Sequence, residues 1–117
     1  MRWSGPGDKI SPMVHPLTRA EAEALIRRVA LGPPGISFRS HCLERMRSRR
    51  LDALDIVRVL RSAEMVCDPY RRNGEWRYRV RERPGNAPPW RLGIEVVAVI
   101  EDEDQVEAHT VYRRRKR

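Results

Sequence analysis

Glu75 to Arg81 reads EWRYRVR, and its alternation decides the fold. Trp76, Tyr78 and Val80 share one parity, while Arg77, Arg79 and Arg81 share the other. A strand here turns an aromatic and aliphatic face toward a core and three guanidinium groups away from it. Such a strand needs neighbours, and the flanking sequence supplies them. EMVCD, at 64–68, reads as a short preceding strand. PGNAPP, at 84–89, turns the chain. WRLGIEVVAVI, at 90–100, reads as a long and largely buried strand, because Val96 through Ile100 leave no polar face. EDEDQ turns the chain again, and VEAHTVY, at 106–112, closes the sheet.

Upstream the period changes from two to 3.6. In LTRAEAEALIRRVA, Thr18 is followed three residues later by Glu21, a capping box, and then by Ala22, Leu25, Ile26 and Val29 at helical spacing. LGPPG ends that helix, since Pro33 and Pro34 cannot continue its hydrogen-bond ladder. A second helix is expected from Ser37 or Ser40 to about Arg49. It carries His41, Arg45 and Arg49 along one side and Leu43 and Met46 on another, with Cys42 between. LDALDIVRVL supplies a third, with Asp52 as N-cap, Asp55 three residues on, Leu51 and Ile56 as a hydrophobic staple, and Val57 and Leu60 extending the apolar stripe. Three helices followed by four strands predict an α+β fold, with N-terminal helices packed on a four-stranded, mainly antiparallel sheet.

A chain of 117 residues with 40% hydrophobic composition suits one domain. Its expected bounds are 17–112, after an irregular, flexible segment at 1–16 and before a basic tail at 113–117. The net charge is +8, of which RRRKR at 113–117 carries five, leaving +3 for the rest. The tail suits either an electrostatic arm for nucleic acid or a solvated end. Cys42 and Cys67 have no CxxC spacing and fit free buried thiols, with a single bridge as the alternative. With no signal-peptide-like run and no apolar stretch of about 20 residues, a cytoplasmic or injected protein is expected rather than a membrane one.

Within SFRSHCLERMRSRR, at 37–50, one histidine stands among five arginines. His41 is the first candidate for chemistry. Near neutral pH, imidazole can take a proton from a ribose 2'-hydroxyl, and that oxygen can then attack the adjacent phosphorus to give a 2',3'-cyclic phosphate. Arg45, one turn later, suits the phosphoryl oxygens. His109, Tyr112, Tyr78 or an arginine can serve the departing 5' oxygen. Arg49, Arg77, Arg79, Arg81, Thr110 and the tail residues Arg113, Arg114, Arg115, Lys116 and Arg117 are candidate contacts to nucleic acid.

Each has a plainer explanation. The strand arginines suit cross-strand pairing with Glu75, Glu82, Glu95 and Glu107, and His41 suits a hydrogen bond to the backbone or to Glu44. If Val106, Ala108 and Thr110 share a face, His109 turns to the other face with Val111, as a core or helix contact. Tyr112 suits packing at the sheet end. His15, His41 and His109 are widely spaced, and neither HExxH nor a zinc spacing occurs, so no metal is expected. No phosphate-binding glycine loop or dinucleotide fingerprint is present, so no cofactor is expected either.

LTRAEAEALI, ISFRSHCLERMRSRRLDALDIVRVL, EWRYRV and AHTVYR together resemble the domain of unknown function 4258 family, over roughly Leu17 to Arg113. The most specific part is Phe38, His41, Arg45, Met46 and Arg49 in order. Arg50 and Leu51 depart from the pattern, because a glycine usually follows the last arginine of that signature. The family is related in outline to the small toxin-like nucleases of the RelE, barnase and colicin superfamily. The resemblance therefore implies a RelE- or barnase-like outline and a toxin-like ribonuclease. Its partners would be RNA or the ribosome, and an acidic antitoxin or immunity protein. Binding of nucleic acid or ribosome without cleavage, and recognition of an acidic protein partner, are the two other functional expectations.

Overall fold

The computed structural model describes residues 16–83, 85 and 93–113. In chain order these form α1 (Arg19–Ala30), a 3-10 turn (Pro33–Gly35), β1 (Ile36–Phe38), α2 (Ser40–Ser48), α3 (Ala53–Arg61), β2 (Ala63–Met65), β3 (Tyr70–Arg72), β4 (Glu75–Glu82), β5 (Ile94–Asp102) and β6 (Gln105–Arg113). The fold is α+β, as expected, but the sheet has six strands rather than four. Its order is β1-β6-β5-β4-β2, with β3 also paired to β4. The β1–β6 pair is parallel and the others are antiparallel. β1 and β3 are three residues each, too short for periodicity to register. Ser37, one of the two expected starts of the second helix, lies in β1. The segment 1–15, most of the 84–89 turn, residues 90–92 and residues 114–117 lie outside the described residues. Arg113, the first residue of the expected tail, belongs to β6.

One core joins the helices to one face of the sheet. Leu25, Ile26 and Val29 of α1, Cys42 and Met46 of α2, and Ile56, Val59 and Leu60 of α3 meet Tyr78 and Val80 of β4, Val96 and Ala98 of β5, and Val106, Ala108 and Val111 of β6. The helix starts at the two ends of this layer are fixed locally. Thr18 Oγ1 accepts from Glu21 N at 3.2 Å while Glu21 Oε1 accepts from Thr18 N at 3.0 Å; Asp52 and Asp55 repeat the reciprocal pair at 2.9 and 3.0 Å. Leu51 and Ile56 are both buried, as a staple requires. The Tyr78 hydroxyl accepts from Leu17 N at 3.0 Å, tying the entry of the chain to the middle of the sheet.

The free side of β2 is covered by side chains of α1. Met65 N donates to Glu23 Oε2 at 2.8 Å, and Arg27 Nε donates to the Ala63 carbonyl at 3.0 Å. Two groups that would otherwise template another strand are thereby satisfied. Both cysteines are free thiols; Cys42 is buried, while Cys67 is only half-buried, contrary to expectation. Burial pushes the Cys42 thiol up to about 11. Among the described residues no helix is long and apolar enough to cross a membrane.

Candidate functional site

The first wall of the site is a hairpin arm. β4 pairs with β5 from Tyr78 to Arg81, but its first residues, Glu75 to Arg77, pair with β3. The turn between β3 and β4 is Asn73-Gly74, both at positive φ (52° and 77°), the backbone of a two-residue hairpin loop. The Arg71 guanidinium lies 6.0 Å from the centroid of the Trp76 ring and braces the arm. Arg72 and Asn73 are carried at its tip.

The second wall is the start of α2. β1 runs parallel to β6 as far as Phe38, and Arg39 N continues the pairing by donating to the Ala108 carbonyl at 3.0 Å. The chain then turns into α2 beside β6. Arg39 is the N-cap, and its side chain makes no capping hydrogen bond, unlike Thr18 and Asp52. An anion at this helix end would meet the positive end of its dipole. His41 is exposed in the first turn and Arg45 is half-buried one turn on.

The floor comes from β6, where the expected parity fails. Ala98 faces Ala108, but Val97 faces Thr110, so His109 is an extra residue with no partner on β5. This is a β-bulge. Beyond it Val111 pairs with Val96 and joins the core, whereas Thr110 and Tyr112 turn to the opposite face with Val97 and Glu95. The expected grouping of Thr110 with Val106 and Ala108, and of His109 with Val111, is therefore corrected: regular alternation does not survive the extra residue.

Together the three walls enclose a cleft of about 580 Å³ lined by Arg39, His41, Arg45, Arg72, Asn73, Glu75, Arg77, His109, Thr110 and Tyr112. All four catalytic candidates, His41, Arg45, His109 and Tyr112, line it, as do Arg77 and Thr110. Arg39, Arg72 and Asn73 were not anticipated. The Asn-Gly pair was the available signal for the arm; nothing in the sequence marked Arg39.

Charge in the cleft is partly matched. Arg39 Nη2 lies 2.5 Å from Glu107 Oε1 and 3.4 Å from Glu75 Oε2, and Arg77 Nη2 lies 3.6 Å from Glu75 Oε1. Arg77 is only 8% exposed, and its Nε has no hydrogen-bond partner among the described residues. His109 Nδ1 is likewise buried without a partner. Burial, then the nearby Arg77 and Arg39 charges, lower the His109 pKa below the ordinary 6.5, against a smaller opposing effect of Glu75 and Glu107. The imidazole is thus held neutral among cations.

The remaining candidates lie elsewhere. Arg79 Nε donates to Glu95 Oε1 at 2.5 Å, and its guanidinium stacks 4.5 Å from the Tyr112 centroid without lining the cleft itself. Arg81 pairs with Glu64 at 2.9 Å. Cross-strand pairing thus accounts for Arg79 with Glu95 and Arg81 with Glu64, the latter a carboxylate outside the expected set. Arg49 bonds Ser48 Oγ at 3.3 Å, and Arg113 donates to the Arg49 carbonyl at 3.2 Å. Arg114, Arg115, Lys116 and Arg117 fall outside the described residues. Comparison with family models, with curated proteins and with solved structures found no match.

Proposed function

We propose that the protein is a metal-independent endoribonuclease of the toxin-like kind, acting in this cleft by 2'-hydroxyl attack. The observation that carries the reading is that two histidines and two arginines, His41 and Arg45 from α2, Arg77 from β4 and His109 from β6, line one cleft. His109, held neutral, takes the 2'-hydroxyl proton as the 2' oxygen bonds to phosphorus. The bond from phosphorus to the 5' oxygen breaks, and that oxygen takes a proton from His41. Arg77 and Arg45 hold the non-bridging oxygens as their charge grows. The histidine roles first expected are exchanged in this proposal, because the half-buried imidazole is free of its proton and able to accept one, and the exposed one stands nearer solvent. A RelE- or barnase-like outline and an acidic antitoxin or immunity partner belong to the same proposal. The cleft carries the proposed chemistry, and the resemblance alone suggests the toxin-like kind, the outline and the partner.

The test is labelled RNA incubated with purified protein and chelator, with and without ribosomes. We expect 2',3'-cyclic phosphate ends, and losses of about a hundredfold or more in rate for His109→Ala and His41→Ala. Intact RNA under both conditions would sink the reading.

A second reading is favoured by one observation. Arg45 and Arg72 make no ion pair among the described residues, so the cleft mouth suits a polyanion held without turnover, on RNA or the ribosome. RNA binding by wild type that persists in His109→Ala, with no product from either, identifies that case. Recognition of an acidic protein instead would leave RNA unbound at moderate salt.

A further inference from the structure

We infer that the cleft prefers nucleic acid as a single strand, with one phosphodiester on its floor and the adjoining base stacked on Tyr112. The inference rests on the preceding reading for the ligand class and adds the form in which the ligand is recognised.

Depth is the first argument. Arg77 and Thr110 are 8% and 5% exposed, and His109 is half-buried between the arm tip and the start of α2. A volume of about 580 Å³ holds a nucleotide or two, but not a double helix. A flexible single-strand backbone can bend to bring a phosphate down to the recessed Arg77 more readily than a stiff duplex can, and it leaves the adjoining base free to stack. The walls are joined to one another. Arg39 ties α2 to both β6 and the arm through Glu107 and Glu75, and the Arg71–Trp76 contact stiffens the arm itself.

The second argument is a clamped aromatic ring at the place the adjoining base would occupy. Tyr112 follows two residues after Thr110 on the same face of β6 and lines the cleft. The Arg79 guanidinium lies 4.5 Å from its centroid and is itself held at 2.5 Å by Glu95, a buried carboxylate. A ring backed by a fixed cation loses little freedom when a base stacks on it. Such stacking is tolerant of base identity and favours unpaired strands.

Binding is tested on the full chain by fluorescence anisotropy, using a short 2'-O-methyl oligonucleotide that cannot be cleaved. It is offered single-stranded and annealed to its complement, at one salt concentration. We expect the single strand to bind about tenfold or more tightly than the duplex. Tyr112→Leu should lose about tenfold toward the single strand alone, and Tyr112→Phe should stay within about twofold of wild type. Equal or tighter duplex binding, wild-type binding by a folded Tyr112→Leu, or no binding of either form overturns the inference. Should Tyr112→Leu not fold, the single-strand and duplex comparison on wild type decides alone. An all-ribose strand followed in parallel separates the two claims. The expected binding without cleavage overturns the ribonuclease and keeps the single-strand inference; equal cleavage of duplex and single strand does the reverse.

Discussion

Arg39 and Glu75 are 36 positions apart, and their side chains meet at 3.4 Å where α2 approaches the β3–β4 arm. The same carboxylate lies 3.6 Å from Arg77, so it both joins two walls of the cleft and offsets two of its cations. Glu75→Gln leaves Arg39 its contact with Glu107 and removes one negative charge from the site. Stability should change by no more than about 1 kcal/mol, since the pair is only partly buried. Oligonucleotide affinity at low salt should rise severalfold. Urea midpoints and a binding titration check both; lower affinity would mean that the position of the arm outweighs its charge.

His109 should titrate below 6.5, because burial and the neighbouring arginines disfavour its charged form. As pH falls through about 6.5, the unfolded chain takes up the proton first. The unfolded state then binds more protons than the folded one, so stability decreases on acidification and carries no His109 slope above that range. Proton NMR of the imidazole gives the midpoint directly. In parallel, His109→Asn should flatten the dependence of the urea midpoint between about pH 7 and 5 relative to wild type.

Arg77 has a different signature. A buried cation with one carboxylate contact at 3.6 Å and an unpartnered Nε is poorly compensated for its lost hydration. Arg77→Met should therefore fold with an unchanged or higher unfolding midpoint while losing about tenfold or more in oligonucleotide affinity. A fall in the midpoint of several degrees would instead assign the arginine to the scaffold.

Glu23→Ala exposes the edge of β2. It strips Met65 N of its acceptor and Arg27 of its neighbour at 3.5 Å. A hydrogen bond to a charged group contributes about 1.5–3 kcal/mol, so the urea midpoint should drop accordingly. Light scattering should also show greater self-association, which Glu23→Gln largely avoids.

Gly35 sits where the α1 connection enters β1. A Cβ there would lie 2.7 Å from the Asp104 carbonyl oxygen and 2.7 Å from Val29 Cγ1. Backbone on one side leaves little room to yield, so Gly35→Ala should cost about 1–3 kcal/mol in chemical denaturation.

The helices were legible because their signals are local: Thr18 with Glu21 and Asp52 with Asp55 each bond reciprocally within one turn, as their spacing predicts. β4 was legible from its parity, which sends Tyr78 and Val80 to the core. β1 and β3 were not, since three residues contain no period. Asn73-Gly74 is the residue pair that a tight hairpin loop favours, but it went unread because the strand before it is too short to register. Arg39 was hidden because its position depends on β1 meeting β6 about 70 residues downstream, a pairing no local pattern records. His41, Arg45, His109 and Tyr112 were chosen for their chemistry, and the fold brings them to one cleft, but the orientation of His109 and Tyr112 on β6 required the register.

That register has a final implication. Val97 opposite Thr110 and Ala98 opposite Ala108 would be successive rungs of an ordinary ladder were His109 removed. A chain one residue shorter keeps Ala108, Thr110, Val111 and Tyr112 on their present faces and closes this break in the ladder, leaving the second shift, between Ile100 and Asp102, as it is. The histidine is thus surplus to the architecture. Deletion of His109 should therefore leave the strand pairing in place while taking the imidazole off the floor of the cleft, which ties this residue to the site rather than to the ladder.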